Sequence, residues 1–339
     1  HFVNGENNNS LFTLDTNGTL KTATTFDYES NASSYSITVQ AKDEYNATVE
    51  GNFTVTLLDV YEPSRPNHFA ELNSTVSLEM IWVEPGTFTM GSPETETGRQ
   101  ANETQHEVTL TKGFYLGKYE VTQAQYEAVM TGNTDNLSPT PSLRPSNPNH
   151  PVTDVSWNEV QVFLSRLNDM EENAGRLPVG WSYMLPTEAQ WEYSCRAGTT
   201  TAFWWANDYD YSRANISGSD TQNVGSYAAN PWGFFDMHGN VSEWTADWYA
   251  PFTSDSVSDP MGPSSGPNRV MRGGNLYDIF EMGRSAFRHW GQPPGHSLGF
   301  RVGFQQIPAD VASPEMQIFG EANVTHLLNT PWVDPGVEA

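Results

Sequence analysis

A single cysteine, Cys195, stands in a chain of 339 residues that also carries 27 glycines and 22 prolines. Glycine and proline at this density cut regular elements into short pieces and leave loops between them. Loops of this extent are often stapled by disulfides, and one thiol cannot form a disulfide within its own chain. Packing, or a metal such as calcium, must do the stapling instead. Eleven Trp, 14 Tyr and 17 Phe supply the apolar volume for a core and exclude a disordered polymer.

The charge is lopsided. Sixteen Lys plus Arg against 41 Asp plus Glu give −25. Such a surface repels nucleic acid and anionic lipid and suits an extracellular setting rich in salt or divalent cations. No run of about 20 apolar residues is present, so no segment reads as a membrane span. His1 is not a natural start, and the chain reads as a piece of something larger.

Three compositions follow one another. Residues 1–62 alternate apolar and polar side chains, as in Y-S-I-T-V-Q-A-K-D (Tyr35 to Asp43) and G-N-F-T-V-T-L-L-D-V (Gly51 to Val60), with turn signals at Asn17-Gly18 and near Asp43. The motifs F-T-L-D-T-N-G-T-L, F-D-Y-E, A-K-D and D-V-Y-E-P in this stretch resemble a partial cadherin-like β-sandwich repeat. The resemblance implies calcium on clustered carboxylates, here Glu29, Asp43, Asp59 and Glu62. Residues 63–78 read as a polar linker.

The next segment, 79–306, carries the helical signals. Thr122 stands as an N-cap with Gln125 three residues on, before Tyr126, Val129 and Met130. Ser156-Trp157 leads into Val160, Phe163, Leu164 and Leu167 at three- and four-residue spacing, and Thr187 opens a third helix with Trp191 in the core. Along the same segment run M-I-W-V-E-P-G-T-F-T-M-G-S, P-V-T-D-V-S-W, L-P-T-E-A-Q-W-E-Y-S-C-R-A-G, D-M-H-G-N-V-S-E-W, R-G-G-N, R-S-A-F-R and G-F-R-V. These motifs, in this order, resemble the formylglycine-generating enzyme, or sulfatase-modifying factor, family. The implied fold class is α+β, a C-type-lectin-like, loop-rich domain. Residues 307–339 begin with a linker, and their P-W-V-D-P-G turn (Pro331 to Gly336) resembles the start of a bacterial immunoglobulin-like repeat.

In the enzymes of that family two cysteines after R-G-G hold copper(I), because soft thiolates select that metal. Here Asp278 stands where the first cysteine is expected, and the loop is a few residues shorter. Cys195 falls at a helix end where a small buried side chain fits, so it reads as core. The eight histidines show no H-x-x-x-H or H-x-H spacing, and a structural role is the default for each.

What the resemblance preserves is a calcium scaffold: Asp236, Gly239, Val241 and Glu243 in one loop, and Asn215 and Ile216, with Asp220 nearby, in another. Proteins of this fold diversified by retroelements also use the segment between R-G-G and G-F-R as a variable ligand surface. The matching residues here are Tyr277, Asp278, Phe280, Glu281, Arg288, His289, Trp290 and Gln292. The expectation is a calcium-binding, non-catalytic binding or structural module of a large extracellular surface protein. Its partner would be a protein, a glycan or a neighbouring subunit of a filament or surface assembly. The alternative is an enzyme or maturation factor using cysteine-independent chemistry.

Overall fold

The structure is a computed structural model that describes residues 2–3, 8–15, 20–23, 34–42, 48–56, 65–143, 147–291 and 297–307. The stretches of period-two alternation form the expected antiparallel strands. Ser34–Lys42 pairs with Thr48–Thr56 in unbroken register from Ser34↔Thr56 to Lys42↔Thr48, and Phe12–Leu14 pairs with Leu20–Thr22. Phe12, Tyr35 and Ile37 bury a small core between them. Glu29, Asp43, Asp59 and Glu62 lie outside the described residues, as does the segment 308–339 that carries the D-P-G turn.

The helices begin where their caps direct. Helix α1 (Gln123–Met130), α2 (Trp157–Asn173) and α3 (Glu188–Arg196) each open on a reciprocal capping box, Thr122 with Gln125, Ser156 with Glu159 and Thr187 with Gln190. Two orphan backbone donors are thereby satisfied at each start. The apolar stripe of α2 is fully buried at Val160, Phe163 and Leu167. Phe163 stacks on Tyr126 of α1 at 5.5 Å and meets Phe300 edge-on at 5.1 Å. Helix α3 stops at Ala197, whose φ of +46° is left-handed, followed by Gly198 at +85°.

Around the helices stand three sheets. A five-stranded antiparallel sheet runs in the order Trp181–Met184, Gly303–Gln306, Phe114–Gly117, Ser77–Val83, His68–Glu71. The segment expected to be a linker therefore contributes an edge strand: His68–Glu71 pairs with the first half of Ser77–Val83, and the domain begins ahead of residue 79. A second sheet orders His289–Gly291, Arg269–Arg272, Ser242–Trp248 and Leu298–Phe300, the last pair parallel. A third joins Val257–Ser258, His106–Leu110 and Gly86–Met90. The α+β expectation matches this mixture. Among the described residues no helix is long and apolar enough to cross a membrane.

Candidate functional site

The second sheet ends at a cavity. Strand Arg269–Arg272 runs into Gly273 and Gly274, whose φ values of +93° and +68° turn the chain sharply. A Cβ on Gly274 would stand 2.7 Å from the carbonyl oxygen of Met282, so only glycine fits. The next residues fold on themselves: the Asn275 backbone N–H and Nδ2 both donate to Asp278 Oδ2 at 3.0 and 2.8 Å, and the Tyr277 N–H donates to Asn275 Oδ1. Asn275 Nδ2 also donates to Ser242 Oγ, and Ser217 Oγ to the Asp278 carbonyl, which fixes the loop from two sides. Between this loop and the strands His289–Gly291 and Leu298–Phe300 lies a space of about 470 Å³. Tyr277, Asp278 and His289 line it, with Met271, Phe287 and Leu298 as apolar wall and Ser297 among the polar groups. Burial raises the Asp278 carboxyl above its usual range, against a backbone hydrogen bond at Asn275 and the charge of His289.

The remaining residues expected on this surface go elsewhere. Phe280 stacks on Tyr209 at 5.4 Å, and Trp290 on Tyr249 at 4.3 Å; both are partly exposed. The stem of Glu281 packs over Gly98. Arg288 is a correction: it is buried, with its guanidinium bound to both oxygens of Glu188 at 2.8 and 2.5 Å and stacked on Phe252. Gln292 lies outside the described residues.

Arg288 is one of five motif arginines that end on buried carboxylates; Arg196 of C-R-A-G donates to Glu192 at 2.9 Å. Arg272 of R-G-G donates to Glu192 of α3 and to the Phe287 carbonyl. Arg284 meets both oxygens of Glu103 at 2.8 Å, and Arg301 of G-F-R meets Glu243 at 2.6 and 2.7 Å. In a loop-rich chain without disulfides, Arg272 and Arg288 tie the C-terminal segment to α3, Arg284 ties it to the loop that holds Glu103, and Arg301 ties it to strand Ser242–Trp248. Sequence reading missed their carboxylate partners, although Glu188 and Glu192 stand four apart in L-P-T-E-A-Q-W-E.

The two loops expected to hold calcium are joined. Gly239, at φ +126°, passes so near Asn215 that a Cβ would stand 2.7 Å from its carbonyl oxygen, and the Asn240 N–H donates to that oxygen at 2.9 Å. Asn215 Nδ2 donates to the Asp220 carbonyl, and Asp236 Oδ2 accepts from Gly225 N–H at 2.6 Å. Glu243 is already engaged, accepting from Arg301 and from Trp191 Nε1. Among the described residues no group of three or more His, Cys, Asp or Glu is placed to hold a metal ion. Acids nonetheless crowd this turn. Burial pushes Asp236 up to about 6, and it raises Glu120 well above the usual carboxylate range, with the charges of Asp236 and Glu243 adding to the rise. Glu120 was not anticipated. It accepts from Asn240 Nδ2 at 2.7 Å and from the Val241 N–H at 3.1 Å, clamping the loop. Its signal was an acid wedged between apolar neighbours in K-Y-E-V-T.

A copper(I) centre does not fit here. The cavity offers a carboxylate, a hard donor, where a soft thiolate is needed. Cys195 is fully buried, and burial pushes its thiol up to about 12. Its neighbour is His238, 3.7 Å from the sulfur; His238 accepts from the Trp204 N–H at 3.2 Å and lies 2.7 Å from the Gly283 carbonyl. Burial lowers His238 to about 4, so it is neutral, and the pair is core.

Comparison with known proteins places the chain. The serine/threonine-protein kinase pkn1 of Chlamydia caviae is 31% identical over 248 residues, 66% of this chain and 37% of the kinase, so the chain spans little more than a third of that relative. The formylglycine-generating enzyme of Mus musculus is 27% identical over 298 residues, covering 68% of this chain and 76% of the enzyme. The structure of Treponema denticola variable protein 1 superposes with a TM-score of 0.60 at 26% identity, over 71% of this chain and 99% of that protein. Residues 67–305 match the model of the sulfatase-modifying factor enzyme 1-like domain, and the chain belongs to that family.

Proposed function

We propose that this chain is a non-catalytic binding or structural module of a large extracellular, cell-surface protein. Its central domain is a C-type-lectin-like, loop-rich scaffold steadied by calcium. It presents the cavity beside Asp278 to a protein or glycan ligand or to a neighbouring subunit. The observation that carries this reading is the oxygen ligand at Asp278, in a chain whose one thiol is sealed in the core. The names of the relatives range over a kinase, a formylglycine-generating enzyme and a variable protein, so the domain alone does not fix an activity. The hairpins ahead of the domain and the D-P-G turn after it support a place among repeats, the first cadherin-like and the second immunoglobulin-like.

Calcium fits as a structural ion. Asp236 and Glu243 would offer side-chain oxygens and Gly239 and Val241 carbonyls; Asn215, Ile216 and Asp220 would serve a second ion. A hard divalent cation among these oxygens would favour the ionised form of Asp236, which burial disfavours. A copper(I) competition titration against a chromophoric chelator tests the non-catalytic reading. The chain is expected to leave the chelator complex intact. Stoichiometric capture of copper(I), lost in Asp278→Ala, would favour an enzyme of the formylglycine-generating type.

A further inference from the structure

Taken as a binding site, the reading on which this inference rests, the cavity has bonding capacity left over. Ser297 is 5% exposed, lines the cavity, and its Oγ makes no hydrogen bond among the described residues. A buried hydroxyl without a partner costs free energy that a ligand would recover. Asp278 takes both Asn275 donors on Oδ2, which leaves Oδ1 without a hydrogen bond among the described residues. A carboxylate oxygen only accepts, so the complementary group must donate. The one arginine on the lining, Arg272, has its charge met by Glu192 and Glu188, and His289, whose charge acts on Asp278 from the same lining, makes no hydrogen bond to it among the described residues.

The walls narrow the choice of donor. Met271, Met282, Phe287 and Leu298 are apolar, and Tyr277 and His289 add flat rings. An ammonium is compact and strongly hydrated, and such walls would strip its water for little return. A guanidinium is planar, weakly hydrated, rich in donors and able to lie against rings. A neutral sugar can donate to a carboxylate but leaves its charge uncompensated, whereas a cation answers both. The charge of −25 on the chain also draws a basic partner from a distance.

We propose that the cavity receives the guanidinium of an arginine side chain from a basic peptide or protein partner, with Asp278 Oδ1 and Ser297 Oγ as its acceptors.

The test compares N-acetyl-arginine methylamide with its neutral isostere, N-acetyl-citrulline methylamide, titrated by calorimetry and by NMR against the full chain. The arginine probe is expected to bind at least tenfold more tightly, and more weakly as salt is raised. Asp278→Asn keeps an acceptor for Asn275 and should lose that tenfold preference. Ser297→Ala should weaken the arginine probe several-fold without unfolding, as checked by the melting midpoint. The wild-type comparison needs no variant, so a poorly folded substitution leaves the outcome decidable. Equal binding of the two probes, or binding of neither at millimolar concentration, would overturn the proposal. If both bind equally and Ser297→Trp blocks both, the cavity is a binding site for something other than a cation, and only the arginine assignment falls. Copper-dependent oxidation of a cysteine peptide would instead remove the underlying reading.

Discussion

At Arg288 and His289 two adjacent residues take opposite fates. They stand at the entry to strand His289–Gly291. His289 reaches the cavity while Arg288 turns inward to Glu188. The same logic of buried partners governs Glu243. Glu243→Ala would leave the Arg301 guanidinium buried without its counter-charge, a change that typically costs about 3–5 kcal/mol. Urea unfolding should show that loss with and without calcium, and a change under about 1 kcal/mol would contradict the pairing. A second buried acid gives a pH signature. Burial, aided by the charge of Glu188, lifts Asp247 from 3.8 to about 7 in the folded chain. Between those values the folded state holds the proton and the unfolded state does not, so this group's contribution to stability falls as pH rises from about 4 to about 7. Asp247→Asn retains an acceptor for the Glu188 N–H and should flatten that fall in melting midpoints taken across the window. An unchanged slope would show that Asp247 does not titrate there.

At the scale of elements, the helices were legible and several strands were not. Capping boxes and apolar spacing are local, so Thr122, Ser156 and Thr187 marked their helix starts within the sequence itself. Thr187→Ala, which removes the bond accepted from the Gln190 N–H, should cost about 1 kcal/mol in denaturant unfolding. His68–Glu71 carries no such signal; it is a strand because Ser77–Val83 offers it an edge, and that pairing is not written in four residues. The candidate cavity divides the same way. Tyr277, Asp278 and His289 could be named because they flank one motif segment. Ser297 and Ser242 join them only through the parallel pairing of Ser242–Trp248 with Leu298–Phe300, a contact between distant parts of the chain. Glu120 escaped for a related reason, since it clamps Asn240 across a separation of 120 residues.

For the whole molecule, the question is what replaces disulfides in holding the loops. Buried arginine pairs account for part, and calcium is the expected remainder. A ligand that binds only the folded state adds about 2.7 kcal/mol at a hundredfold excess over Kd. Calcium should therefore raise the melting midpoint by several degrees. Magnesium serves as the control for simple screening of the −25 charge, because its octahedral demand and tight water shell suit such a cage poorly. Asp236→Asn is the informative variant, since Glu243 also carries Arg301, and it should remove most of the calcium response. Equal stabilisation by the two ions would leave residues 236–243 an ordinary turn. Whether a domain of this family serves here without its oxidative chemistry is decided by mass spectrometry of a cysteine-containing sulfatase peptide incubated with the chain, copper(I) and oxygen. Peptide should be recovered with its thiol intact, at the level of a copper-only control. Formation of the aldehyde at a rate well above that control would contradict it.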